Sequence, residues 1–144
     1  MFVPSFINEK DEIVLKNLLK YFDGVYADGL YGLSLAEEEG KKIIAGVGLN
    51  VFNSVDLYEL NKRGVKEIVF SQELSSREIE NIKGNGYAFT FGSIRVAEFL
   101  YCPFGKKCGD CKRGNRFKLT DEAGRTFELL RYKLGGRCRF ELYN

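Results

Sequence analysis

Hydrophobic positions in the first ninety residues recur with two periods, one of strands and one of helices. Residues 2–6, Phe-Val-Pro-Ser-Phe, read as a short extended piece. Asn8 is then a good helix N-cap, with Glu9, Asp11 and Glu12 favourable in the first turn. Ile13, Leu15, Leu18, Leu19 and Phe22 follow at helical spacing until Gly24 stops the run. Residues 25–27 predict a short strand, 33–39 a brief helix ended by Gly40, and 42–47 an apolar strand of the buried, parallel kind. Asn53 or Ser54 caps the next helix, which carries Val55, Leu57 and Leu60 towards Gly64. Residues 67–70 predict a strand. Ser75 or Ser76 caps a helix holding Glu78, Ile79 and Ile82, broken by Gly84-Asn85-Gly86, and residues 87–91 read as a further strand. Strands and helices alternating through short connections argue for parallel βαβ units.

Later in the chain the period becomes two. Phe117 and Leu119, a turn at 121–124 and residues 126–131 predict a hairpin, and residues 137–143 alternate as a final strand. The chain thus divides into an α/β part, residues 1–98, and a small β appendage, residues 99–144. With 144 residues and 44% apolar composition, it fits one domain, or a fragment with an appendage.

The appendage also holds the chemistry. All four cysteines lie in it, Cys102, Cys108, Cys111 and Cys138, spaced Cys-x5-Cys-x2-Cys-x26-Cys. A metal centre needs several soft, deprotonated ligands converging on one point, and thiolates serve zinc and iron–sulfur clusters alike. Gly109-Asp110 forms the tight turn that lets Cys108 and Cys111 reach one ion, and Cys138 closes the site from a distant strand. Two disulfides are the competing use of an even cysteine count. The start of the chain has no secretory pattern, so the expected compartment is the cytoplasm, where disulfides are rare. A redox Cys-x2-Cys needs a strand–helix setting that the surrounding glycines and lysines do not suggest.

Charge divides the same way. Residues 1–100 carry 11 Lys/Arg against 15 Asp/Glu, and residues 101–144 carry 11 against 5. The basic end suits RNA as a partner; its plainer reading is a solvated surface that offsets thiolate charge. Histidine is absent, which excludes Ser–His–Asp, Cys–His and His-Glu-x-x-His chemistry within this chain. No apolar run approaches the roughly 18–20 residues of a membrane span.

Asn50, Asn53, Ser71, Glu73 and Leu74 fall at or just after predicted strand ends, the edge where barrels carry their active sites. Asn50 and Asn53 are candidates to bind a polar substrate, and Glu73 to act as base or hold a cation. The plainer alternative has Asn53 capping a helix and Glu73 pairing locally. Gly46-Val47-Gly48 lacks the third glycine and the lysine of phosphate loops.

Several phrases together resemble peptidase family U32, the collagenase-like peptidases. They are residues 48–54 (Gly-Leu-Asn-Val-Phe-Asn-Ser), Ser71-Gln72-Glu73-Leu74, Tyr101-Cys102-Pro103 with the clustered cysteines, residues 119–127, and the ending from Cys138 to Tyr143-Asn144. The resemblance implies a β/α barrel followed by a cysteine-bearing region. Family members are much longer, so residues 1–98 would be the later strands, a partial (half) barrel. Open edges of a half barrel invite a homodimer. Better understood relatives resemble RNA or quinone-precursor hydroxylation factors, in which four cysteines hold a 4Fe-4S cluster. By position Cys102, Cys108, Cys111 and Cys138 would be those ligands, and their compact spacing suits zinc equally. The alternative is a non-enzymatic, zinc-stapled module that binds RNA or protein.

Overall fold

A parallel sheet of four short strands organises the first half of the chain. The computed structural model describes residues 1–105 and 114–144. It divides into two units, Met1–Thr90 and Phe91–Asn144.

In the first unit β1 (Phe2–Val3), β2 (Gly24–Ala27), β3 (Lys42–Ala45) and β4 (Glu67–Ile68) pair in chain order, all parallel. The register aligns Val3, Ala27, Ala45 and Ile68 in one row, and all four are fully buried. Leu15 and Leu19 of α1 (Glu9–Leu19), Leu33, Leu35 and Ala36 of α2 (Leu30–Glu38) and Leu57 of α3 (Ser54–Lys62) complete this core. Each fully buried Leu or Val of this kind contributes about 1.5–3 kcal/mol. The neighbouring row, Phe2, Tyr26, Ile44 and Glu67, points to the opposite face, where the Phe2 and Tyr26 rings lie 6.0 Å apart.

Helix starts follow from local capping. Asn8 Oδ1 accepts from the Lys10 and Asp11 amides, and Asp11 returns a carboxylate to the Asn8 amide at 3.0 Å, a capping box. Asn53 caps α3, and Ser75 caps α4 (Ser76–Glu80) with Glu78 returning the bond. The first helix stops at Leu19 rather than Phe22, because the Tyr21 and Phe22 amides bond three residues back and tighten the last turn. The second begins at Leu30, three residues before the apolar pattern suggests, behind a Gly29 with no capping side chain.

The strand expected over 87–91 is reduced to one parallel bridge, Val69↔Tyr87. The adjoining β4 ladder is two residues long, so residues 88–91 have no continuous edge to pair with, and Phe91 is left 95% exposed.

In the second unit β5 (Arg95–Phe99), β6 (Arg116–Thr120), β7 (Thr126–Leu134) and β8 (Arg137–Tyr143) form an antiparallel sheet in the order β5-β8-β7-β6. Residues 95–98, placed by the sequence pattern in the α/β part, therefore belong to this sheet through β5. The predicted hairpin is present, with Thr120 opposite Thr126. Its turn is held by Asp121, which accepts from the Ala123 and Arg125 amides and from Arg125 Nε at 2.7 Å. The second hairpin closes on Gly135-Gly136, both at positive φ (55° and 78°), the conformation a two-residue type I′ turn requires. Among the described residues, only Leu129 and Phe140 of this unit are fully buried apolar side chains. No described helix is long and apolar enough to cross a membrane.

Candidate metal centre and sheet-edge site

The loops leaving the C-terminal ends of the parallel strands meet at one edge. After β2, Asp28 is buried and accepts from the Gly48 amide at 2.9 Å and from Ser5 Oγ at 3.2 Å. Ser5 Oγ also donates to the Asp28 carbonyl at 2.7 Å, and the Val47 amide donates to Tyr26 Oη at 3.2 Å. The loop passes so close that a Cβ on Gly46 would lie 2.2 Å from the Tyr26 ring, and one on Gly48 2.2 Å from the Asp28 carbonyl oxygen. Only glycine fits at these two positions. Asp28 thus latches the loops after β1 and β3 together.

That latch presents the predicted residues. Asn50 ends the 3-10 turn Val47–Leu49 in the left-handed conformation (φ 53°, ψ 52°), which Asn tolerates best among residues with a Cβ, and its side chain is exposed. Asn53 Oδ1 is occupied by the Val55 and Asp56 amides at 2.8 and 3.0 Å. The Val51↔Phe70 bridge and the Ser71 amide bonded to the Val51 carbonyl bring this loop beside residues 71–73. Ser71 is buried, with its Oγ accepting the Glu73 amide at 3.2 Å, and Glu73 is exposed. Asn50, Asn53 and Glu73 therefore share one sheet edge. Asp28, Ser5 and Tyr26, which build that edge, were not singled out by the sequence pattern. An acid placed directly after a strand and before Gly29 was the one signal available.

The cysteines belong to the second unit. Cys138 follows the alternation of β8, so it lies on the same face as Phe140. Phe104, two residues after Cys102, stacks on that face, with ring centroids 4.6 Å from Phe117 and 5.9 Å from Phe140. This aromatic contact tethers the Cys102 segment to the face that carries Cys138. Both are free, half-buried thiols. Cys108 and Cys111 lie outside the described residues. Among the described residues no group of three or more potential ligands assembles. The donor placed on that face, Cys138, is a soft sulfur two residues from Phe140, the type that zinc and iron–sulfur clusters take.

The opposite face of the sheet carries paired charges. Arg139 Nη1 donates to Glu98 Oε1 at 3.2 Å, with the two side chains only 4% and 6% exposed. Tyr132 Oη donates to the same carboxylate at 3.2 Å. Arg95 pairs with Glu141 at 3.1 Å, and Tyr143 Oη donates to Glu141. Burial, then the Glu98 and Glu141 charges, push the Tyr132 phenol far above its ordinary value, so it stays protonated as a donor.

Comparison with protein-family models, with curated proteins and with solved structures gives no match.

Proposed function

We propose that this chain is a U32-like βα platform joined to a four-cysteine metal centre, and that it serves in modifying RNA or a similar substrate. Peptidase is the family's traditional label. One observation carries the reading. Among its described residues the unit has two fully buried apolar side chains and keeps Cys102 and Cys138 as free thiols, while Phe104 packs against Phe140 on the face that carries Cys138. Units with so little core favour a staple, and with Cys102 and Cys138 free, thiolate–metal bonds are favoured over the competing disulfides.

Cys102, Cys108, Cys111 and Cys138 would hold the metal. A 4Fe-4S cluster would supply one-electron chemistry; zinc on four thiolates would be structural, with no open position for a hydrolytic water. We assign the cluster to the protein in the cell and zinc to aerobically prepared protein. Within this reading the parallel strands are part of a barrel whose C-terminal edge carries Glu73 as the candidate base, with Asn50 at the substrate. A second copy of the chain covers the open outer edges. Anaerobic purification followed by visible absorbance and elemental analysis tests the centre. Iron or zinc near one site per chain is expected, and metal-free protein with an ordered C-terminal unit overturns it. Sedimentation that finds only monomer removes the dimer.

A second reading is favoured by Asn53, whose side chain is committed to a helix cap. There the chain is a non-enzymatic, zinc-stapled module for RNA or protein. Salt-sensitive RNA binding without turnover, unchanged by Glu73→Ala, would select it.

A further inference from the structure

Asparagine followed directly by glycine occurs once in the chain, at Asn85-Gly86. The pair lies between α4 and Tyr87, outside any helix or strand, and both residues are exposed. Neither makes a hydrogen bond or an ion pair among the described residues.

The chain is pinned on both sides of this pair. The Lys83 amide donates to Ser54 Oγ at 2.8 Å, and Gly84 passes so close to α3 that a Cβ there would lie 2.4 Å from Leu57. Gly86 passes against the buried Phe70 ring, where a Cβ would again lie 2.4 Å away. Tyr87 then donates its amide to the Ile68 carbonyl at 2.8 Å and accepts the Phe70 amide at 2.9 Å, which makes the Val69↔Tyr87 bridge beside the end of β4.

Asparagine is a chemically labile residue. The backbone nitrogen of the residue that follows can attack the side-chain carbonyl carbon. A new C–N bond forms, the bond to the side-chain nitrogen breaks, and that nitrogen leaves as ammonia with the proton of the attacking amide. Water then opens the cyclic imide at either carbonyl, giving aspartate or isoaspartate, with no change of oxidation state. Glycine obstructs this attack least, because it has no side chain and the widest choice of backbone angles. A nitrogen held in a hydrogen bond would be withheld from it, and the Gly86 nitrogen is not so held among the described residues.

We propose that Asn85-Gly86 is a site of spontaneous deamidation, and that its isoaspartyl product releases Tyr87 from the end of β4. An isoaspartyl linkage runs the main chain through the side-chain methylene, so the path from Asn85 Cα to the Gly86 nitrogen gains a carbon. With Lys83 and Gly84 fixed on one side, that extra length falls on the Phe70 contact and the Tyr87 bridge. The aspartyl product leaves the main-chain length unchanged and keeps both. The inference stands apart from the metal centre and from any choice of substrate.

The test ages the full chain at mildly alkaline pH and follows it by peptide mass spectrometry, with electron-transfer fragmentation to tell isoaspartate from aspartate. Asn85 should convert ahead of every other asparagine. Hydrogen exchange on the chromatographically separated forms should show protection of the Phe70 and Tyr87 amides lost in the isoaspartyl form and kept in the aspartyl and unaged forms. Asn85→Gln keeps an amide, but its longer side chain closes the imide far more slowly, so the aged variant should retain both protections. An Asn85 that stays intact while the denatured chain converts overturns the site. Full protection in the isoaspartyl form overturns the release, as does equal loss in the aspartyl form or in aged Asn85→Gln. The comparison of the two product forms needs no variant, so it decides the matter even where Asn85→Gln misfolds.

Discussion

The N-terminal unit buries fourteen apolar side chains and the C-terminal unit two, among the described residues. Yet both present regular sheets. The first unit is held by a core: one buried row across four strands, with three helices packed on it. The second has a thin apolar layer around Phe140 and Leu129, with the Glu98–Arg139 and Arg95–Glu141 pairs on one face and Cys138 on the other; on the reading proposed above, it is held by discrete links. A core loses stability by increments when trimmed. Discrete links fail singly and abruptly.

The largest expected effect separates the units outright. On the proposed four-cysteine centre, chelation of its metal, or Cys138→Ala, should unfold the C-terminal unit, since zinc bound by a small domain supplies on the order of 10 kcal/mol of folding free energy. Hydrogen exchange should lose protection in β7 and β8 while β2 and β3 keep theirs. Equal loss in both sheets would erase the contrast. Next, Phe140→Ala should cost about 3–5 kcal/mol by denaturant unfolding, as for other buried aromatics, and should lower metal retention. Glu98→Ala should cost up to a similar amount, about 3–5 kcal/mol, because it removes the carboxylate paired with the buried Arg139, whereas replacing both by Met should recover most of it. Recovery by the double variant is the part that a simple packing defect would not reproduce.

Smaller effects probe local elements. Asn53→Ala should cost about 1 kcal/mol, read as a lower melting temperature of the N-terminal unit. Turnover that falls much further than stability would give Asn53 a role beyond the cap. The smallest effect is in acid. The Arg125 amide and guanidinium, bonded to Asp121, hold its carboxyl below the ordinary carboxylate range. Its contribution is therefore complete above the unfolded-state value and is lost as pH falls through the lowered folded one. Exchange of the Ala123 and Arg125 amides should quicken there, and Asp121→Asn should remove the pH dependence.

Features set by near neighbours in the chain were legible beforehand. Asn8, Asn53 and Ser75 cap helices through amides two or three residues away, and the hairpin around 121–124 needs little else. Features set by distant partners were not. Residues 87–91 alternate as a strand should, but a strand is a pairing, and the edge beside Tyr87 is too short to supply one. Asp28 reads as an unremarkable acid until Ser5 and Gly48, 23 and 20 residues away, are placed against it. For the cysteines, spacing argued for convergence; the structure adds Phe104 and the face of Cys138, and Cys108 and Cys111 lie outside the described residues.

The parallel strands lie side by side in the order they are synthesised. A sheet laid down this way grows from its rims. A further strand–helix repeat can join beside β1 without breaking any existing pair, whereas beyond β4 it would have to displace the Tyr87 bridge to Val69. The architecture is additive, which makes its length an evolutionary variable independent of the chemistry mounted on it.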